Sequence, residues 1–450
     1  MKIDASRRGQ LPRVEKPVPF ASPEGRINGW KVTIPGMHPL ATPALADGRV
    51  FLGGGFGSYE FYGLDAVTGE LLWQYQTEDD GPTAAVVTDE RVVFNTESCE
   101  LEVLTVTGKA VWKKWLGDPL LSMPAVEDGR VFMAYPDSRG DHRHYLACFD
   151  LLDGRQIWRQ PITGEVITCP VLADGQVYAA SLDGTLACFE QASGRPLWQE
   201  ARNATSSPAV WKKQCYFSQR HERTGVAAEV QQMEMLARKY AAAGTPTEHF
   251  LGTAEAADYL DHGKRQHRSP QYRAQAMYDG GVGFGAYKGD AKIHQAMSNL
   301  GMAHVSGVWA YQGSKPFLSR GRLFSGQGDT VHCSDPESKE VFWKRKLREG
   351  DKEAELLDSL LTPPAVVNGK LFFGTTDGRV FCLSADSGET LWSVSIGEAV
   401  IFQPAVAQGR VYVPTAAGNL FCLETGDPED DGWFMWGATP AHNGQAEVMV

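Results

Sequence analysis

At 450 residues the chain has length for about three domains, and with 42% apolar and 22% charged residues it is neither disordered nor fibrous. No stretch approaches the roughly 20 apolar residues that cross a bilayer as a helix, so membrane insertion is not expected. Its 43 Lys and Arg against 55 Asp and Glu give a formal net charge of −12, which disfavours nucleic acid or an anionic lipid surface as the main partner.

Residues 1–28 read as an N-terminal extension. The basic residues near the start are not followed by the apolar run of roughly 7 to 15 residues that marks a secretory signal. A complete chain is therefore expected in the cytoplasm, and a processed form in the periplasm or outside the cell. Next comes Trp30-Lys31-Val32-Thr33-Ile34-Pro35-Gly36, a strand-like run that matches Trp392-Ser393-Val394-Ser395-Ile396-Gly397 far along the chain.

From residue 40 onward one unit repeats. A polar turn followed by β-formers opens at Asp47, Asp89, Asp128, Asp174, Lys212, Arg320, Asn368 and Gln408, each time behind a short apolar run that usually begins with proline. Strand, two-residue turn, strand is a hairpin. In most copies a third run follows, then a turn that closes on Trp73, Trp112, Trp158, Trp198, Trp343 or Trp392. These tryptophans recur at about 40 to 50 residues, the period of four-stranded propeller blades, except across an insertion between the fifth and sixth copies. One such sheet leaves both faces uncovered, and radial stacking hides them.

The sequence thus predicts an all-β protein: an eight-bladed β-propeller of four-stranded antiparallel blades over residues 29–437. Residues 29–36 are expected to close the eighth blade as its outer strand, with Asp431–Trp436 as the competing candidate. Residues 243–304 are expected to form a partly helical insertion, a possible lid, and 438–450 a C-terminal tail.

The eight cysteines form no C-x-x-C pair, which removes zinc-ribbon, thioredoxin-like and c-type haem readings. Cys148, Cys188, Cys333, Cys382 and Cys422 share a repeat position with Gly63, so that position selects a small side chain rather than a redox group.

These tryptophan-bearing units resemble the pyrroloquinoline-quinone-like, eight-bladed propeller superfamily, which includes quinoprotein alcohol dehydrogenases and BamB-like outer-membrane assembly lipoproteins. The resemblance implies a rigid ring that presents loops. The dehydrogenases hold their quinone against adjacent cysteines, beside a metal bound by carboxylates and an amide. This sequence has no adjacent cysteines and no counterpart of the metal cluster. BamB-like proteins are exported and lipid-anchored; no leader or anchor cysteine is expected here, so that role is not expected to transfer.

Loops leading into the innermost strands should line one face and the tunnel mouth. They carry His38, Asp80 with Thr83, Met123, Thr168, Ser206, Gln312 with Lys315, Thr362 and Gln403, a polar set suited to a ligand or partner. The second unit replaces the usual Asp-Gly turn with Asn95-Thr96-Glu97-Ser98-Cys99-Glu100. Glu97 and Cys99 are thereby candidates for ligand contact, against the plainer reading of a locally hydrogen-bonded turn. In the third unit, Asp141-His142-Arg143-His144 would place His142 and His144 on one side of an extended strand, as two imidazoles on a metal, with Asp141 as a third ligand. Solvated loop histidines are the plainer alternative. In the insertion, Lys264, Arg265 and Arg268 form a basic patch for an acidic partner or ligand, while Gly280–Gly285 lacks the spacing of a phosphate-binding loop.

The leading expectation is a non-catalytic scaffold that binds a protein partner or small ligand at this face, with no cofactor. The alternative is an oxidoreductase at the tunnel mouth, assisted by a metal ion or pyrroloquinoline quinone, using His142 and His144 or Glu97 and Cys99.

Overall fold

The computed structural model describes residues 8–23, 25–117, 122–137, 144–218, 315–327, 330–347 and 361–444. All regular structure among them is β.

The repeated turn sets the geometry. At each of the eight copies both turn residues have positive φ, as at Asp47 (49°) and Gly48 (69°) or Asn368 (48°) and Gly369 (66°). That is the two-residue hairpin turn whose twist matches its strands, and it explains the preference for Asp or Asn followed by Gly. The strand before each turn is only three residues long: Ala44–Ala46, Val86–Thr88, Ala125–Glu127, Val171–Ala173, Ala209–Trp211, Phe317–Ser319, Ala365–Val367 and Ala405–Ala407. These innermost strands lie around a central axis, with Ala405–Ala407 packed beside Ala44–Ala46.

Seven of the eight hairpins continue into full blades. In the first, Ala44–Ala46, Arg49–Gly53, Glu60–Asp65 and Leu71–Gln76 pair in order. The described residues therefore give seven blades rather than the expected eight. At the fifth position they hold a two-stranded sheet, Ala209–Trp211 with Gln214–Tyr216, because the residues that follow lie outside the described set. The expected helical insertion at 243–304 lies outside it too, and no helix occurs among the described residues.

The last blade has five strands. Asn28–Thr33 pairs antiparallel with Asn419–Glu424, setting Trp30 opposite Cys422, and Val18–Ala21 adds an outer edge. The beginning of the ring is thus hydrogen-bonded to its final repeat.

Tryptophans join neighbouring blades. Trp30 donates its Nε1–H to the carbonyl of Val67 at 2.8 Å, Trp73 to Val106 at 3.0 Å, Trp112 to Leu151 at 2.8 Å and Trp158 to Gln191 at 3.0 Å, each in the turn before the next blade's outer strand. Each indole also lies against a positive-φ glycine of that turn, as Trp73 does against Gly108. Within a blade the tryptophan stands opposite the small third-strand residue, as in Trp158 with Cys148 and Trp73 with Gly63. Those cysteines are buried free thiols, and burial pushes Cys148 and Cys382 up to about 12, which keeps them protonated.

Candidate functional site

The three-residue inner strands leave a definite chemical signature on the axis. In an antiparallel pair, hydrogen-bonded and non-hydrogen-bonded residues alternate. Here the outer two residues bond to the second strand and the middle one turns its N–H and C=O inward. Such an edge needs partners.

The chain's own C-terminal segment supplies them. Leu45 donates its amide to the carbonyl of Phe434 (2.7 Å), Val126 to Pro440 (2.9 Å), Leu172 to Ala441 (2.9 Å) and Val406 to Trp433 (2.7 Å), and Val210 donates to the side-chain oxygen of Asn443 (3.0 Å). All five donors are middle residues of innermost strands. Asn368 and Lys370 anchor the start of the segment by donating to both Asp427 and Asp430 at 2.7 to 3.0 Å. Trp433, Trp436 and Ala438 are completely buried, in one apolar cluster with Met123, Cys169 and Phe317. Residues 438–444, read from sequence as the start of a tail, lie within the ring.

Several expected site residues converge on this segment. Lys315 is completely buried, donates to the carbonyl of His442 at 2.5 Å, and lies 5.6 Å from the ring centres of Phe317 and Trp436. Burial lowers its ammonium to about 8. Gln403 accepts from Gly437 N (3.1 Å), donates to Pro364 O (2.8 Å), and its carbonyl takes the Thr42 hydroxyl (2.9 Å). Trp436 donates to Cys169 Sγ at 3.3 Å. His442 sets its two ring nitrogens 2.7 Å from the carbonyls of Trp436 and Pro124. A neutral ring can donate to only one of them, so the carbonyls favour the charged ring while burial opposes it; burial prevails, lowering the group to about 4.

The other expected residues are engaged locally. Thr83 Oγ1 donates to Asn95 Oδ1 (2.7 Å), Ser206 Oγ accepts from Ser218 N (3.0 Å), and Thr362 Oγ1 accepts from Gly374 N (3.0 Å). Thr168 has a φ of 67° and takes the Met123 amide on its carbonyl. His38 packs beside Gly36 and Gly55.

The unusual second-blade turn is held by Asp79, which sequence reasoning passed over. Its Oδ2 accepts from Thr96 Oγ1 (2.5 Å) and Ser98 N (2.8 Å), and the Glu97 amide bonds to the Asp80 carbonyl (2.8 Å). Cys99 is buried with φ 59°. Burial, aided by the Asp80 charge, pushes the Glu97 carboxyl up to about 8, and burial raises Asp80 as well. The structure therefore brings Asp80 and Glu97 together beside Asp79, with Thr83 held to Asn95. Two carboxyls meeting before an Asx-type turn was the available signal.

His144 is buried with its Nε2 3.7 Å from Glu165 Oε1. Asp141, His142, Gln312, Lys264, Arg265 and Arg268 lie outside the described residues. Among the described residues no group of three or more His, Cys, Asp and Glu side chains is disposed to hold a metal ion. They do not fit a pyrroloquinoline quinone on the axis either, because Trp433, Trp436 and His442 fill that place and the cysteines are scattered. No helix there is long and apolar enough to cross a membrane.

The family model described as outer membrane protein assembly factor BamB matches residues 22–112, 100–228 and 353–430. Among solved structures, the quinohemoprotein alcohol dehydrogenase ADHIIG from Pseudomonas putida HK5 is 13% identical, over 88% of this chain and 76% of its own, with a TM-score of 0.54. The quinohemoprotein alcohol dehydrogenase from Comamonas testosteroni gives 13%, 88%, 76% and 0.53. BamB from Moraxella catarrhalis is 14% identical over 94% of this chain and 95% of its own, with a TM-score of 0.41. No curated protein matches. At such identities the dehydrogenases show likeness of fold alone. By the extent of the family match and the recurrence of its tryptophan-bearing blades, the chain belongs to the pyrroloquinoline-quinone-type β-propeller family described by BamB.

Proposed function

We propose that the protein is a non-catalytic propeller scaffold that binds a protein partner through the face carrying the loops into the innermost strands. One observation carries this reading: five of the polar groups expected at the tunnel mouth are spent on the chain itself. Thr83, Ser206, Thr362, Gln403 and Lys315 all bond within the protein, and tryptophans fill the axis below them. A small-molecule pocket needs convergent polar groups facing an open concavity. A rigid ring with its axis filled suits broad docking instead. The matched family model is described as an assembly factor, a role exercised on other proteins, which supports the same direction. We take the two-stranded fifth sheet as the inner half of an eighth blade, so that this face is a circle of eight loops.

The test places a photocrosslinking residue at Met37, 66% exposed beside His38, or at Val67, 53% exposed on the opposite face. Crosslinking of a protein partner from position 37 and not from 67 is expected. Crosslinking from 67 alone would overturn the choice of face. A stoichiometric metal, or a quinone absorption band, in the purified protein would favour the oxidoreductase alternative.

A further inference from the structure

The C-terminal segment touches the ring as a bound peptide would. Residues 433–443 take up amides from five innermost strands of five separate repeats, four on backbone carbonyls and that of Val210 on the Asn443 side chain. Chain docked on strand edges through backbone hydrogen bonds is a common mode of peptide recognition; here Trp433 bridges Val406 as a strand would, and residues 435–441 follow as turns. Side-chain pockets are present as well: Trp433 meets Phe317 edge-on at 4.9 Å, Trp436 meets it at 5.8 Å, and Lys315 caps the segment at the His442 carbonyl. The incoming chain is exposed at Pro428 and Glu429, between Asp427 and the buried Asp430 that Asn368 and Lys370 hold.

We infer that the axial channel is a peptide-binding site occupied in cis, with residues 433–444 as its tethered ligand. Docking of this one segment satisfies the inward edges of five repeats, so the ring is held from its centre as well as by the tryptophan contacts between neighbours. This inference does not depend on which face a partner uses.

The test is made on the full chain with a protease site inserted between Pro428 and Glu429. After cutting in native buffer, the C-terminal piece is expected to remain with the ring on gel filtration. It should then exchange for an excess of labelled synthetic peptide of residues 429–444. Removing it should lower hydrogen-exchange protection at Leu45, Val126, Leu172, Val210 and Val406 together, by about tenfold or more, while amides paired within blades keep theirs. A piece that exchanges only when the whole ring unfolds would overturn the inference, since the segment would then be integral core. Should the insertion impair folding, Trp436→Ala in the uncut chain gives the second reading. Joint deprotection of the same five amides is expected, and protection lost at scattered or unrelated amides would overturn the proposal.

Discussion

The indole of Trp158 lies flat against Gly194 of the next blade, so close that a Cβ on that glycine would fall 2.5 Å from the ring. The glycine's φ of 72° is itself costly for any other residue. Gly194→Ala should therefore lose about 2–4 kcal/mol, the sum of backbone strain and overpacking. Trp158→Phe, which drops the bond to the Gln191 carbonyl and keeps an aromatic ring in place, should lose less, about 1–2 kcal/mol in all. Urea denaturation of the two variants checks the order.

At the second hairpin the turn is Asp89-Glu90, with φ values of 48° and 58°, where most copies place glycine second. Glu90 is exposed, so its side chain supports little else. Glu90→Gly should stabilise the protein by about 0.5–1 kcal/mol, relief of left-handed strain outweighing the added freedom of the unfolded chain. A rise in Tm measures it.

Asp79 holds the neighbouring loop through Thr96 and Ser98. Removing the carboxylate leaves a buried hydroxyl and an amide without their acceptor. Asp79→Ala should cost about 1–3 kcal/mol and raise hydrogen exchange first at Ser98–Glu100. Exchange that rises equally across the blade would contradict this account.

Glu102 gives a pH-dependent prediction. It is buried, takes the Tyr75 hydroxyl at 2.8 Å on one oxygen, and has no hydrogen-bond partner on the other. Burial pushes its carboxyl up to about 8. The folded state thus binds this proton more tightly than the unfolded chain, and the associated stability, complete below pH 4.5, is lost as pH rises towards 8. Glu102→Gln should match the parent near pH 4.5 and exceed it by ~2–4 kcal/mol at pH 8.5. Parallel denaturation curves at the two pH values distinguish this from a uniform effect.

Legibility followed the repeat. The Asp-Gly turns declared the hairpins because a left-handed pair of residues has few sequence solutions, and the period of the tryptophans declared the blades. The tryptophans' partners were harder to read: Gly108 and Gly194 are turn glycines in sequence, and their closeness to an indole appears only when blades are adjacent. Trp433, Trp436 and His442 occur once and obey no period, so nothing in the sequence marks them as axial. Their role comes from amides at Leu45 and Val126 that face inward because each is the non-hydrogen-bonded middle residue of its hairpin strand. Of the candidate site, Asp80, Glu97 and Thr83 could be grouped by the loops that carry them, whereas Asp79 bonds across a loop boundary that sequence spacing does not reveal.

The pairing of Asn28–Thr33 with Asn419–Glu424 has a consequence for biosynthesis. The first of these strands leaves the ribosome long before its partner exists, and at about 5–20 residues per second it waits roughly 20–80 s. Throughout that interval the edge not covered by Val18–Ala21 is open to any other strand edge, including those of a second nascent copy. Slowing translation near the 3′ end of the message should lengthen the hazard and increase dependence on chaperones.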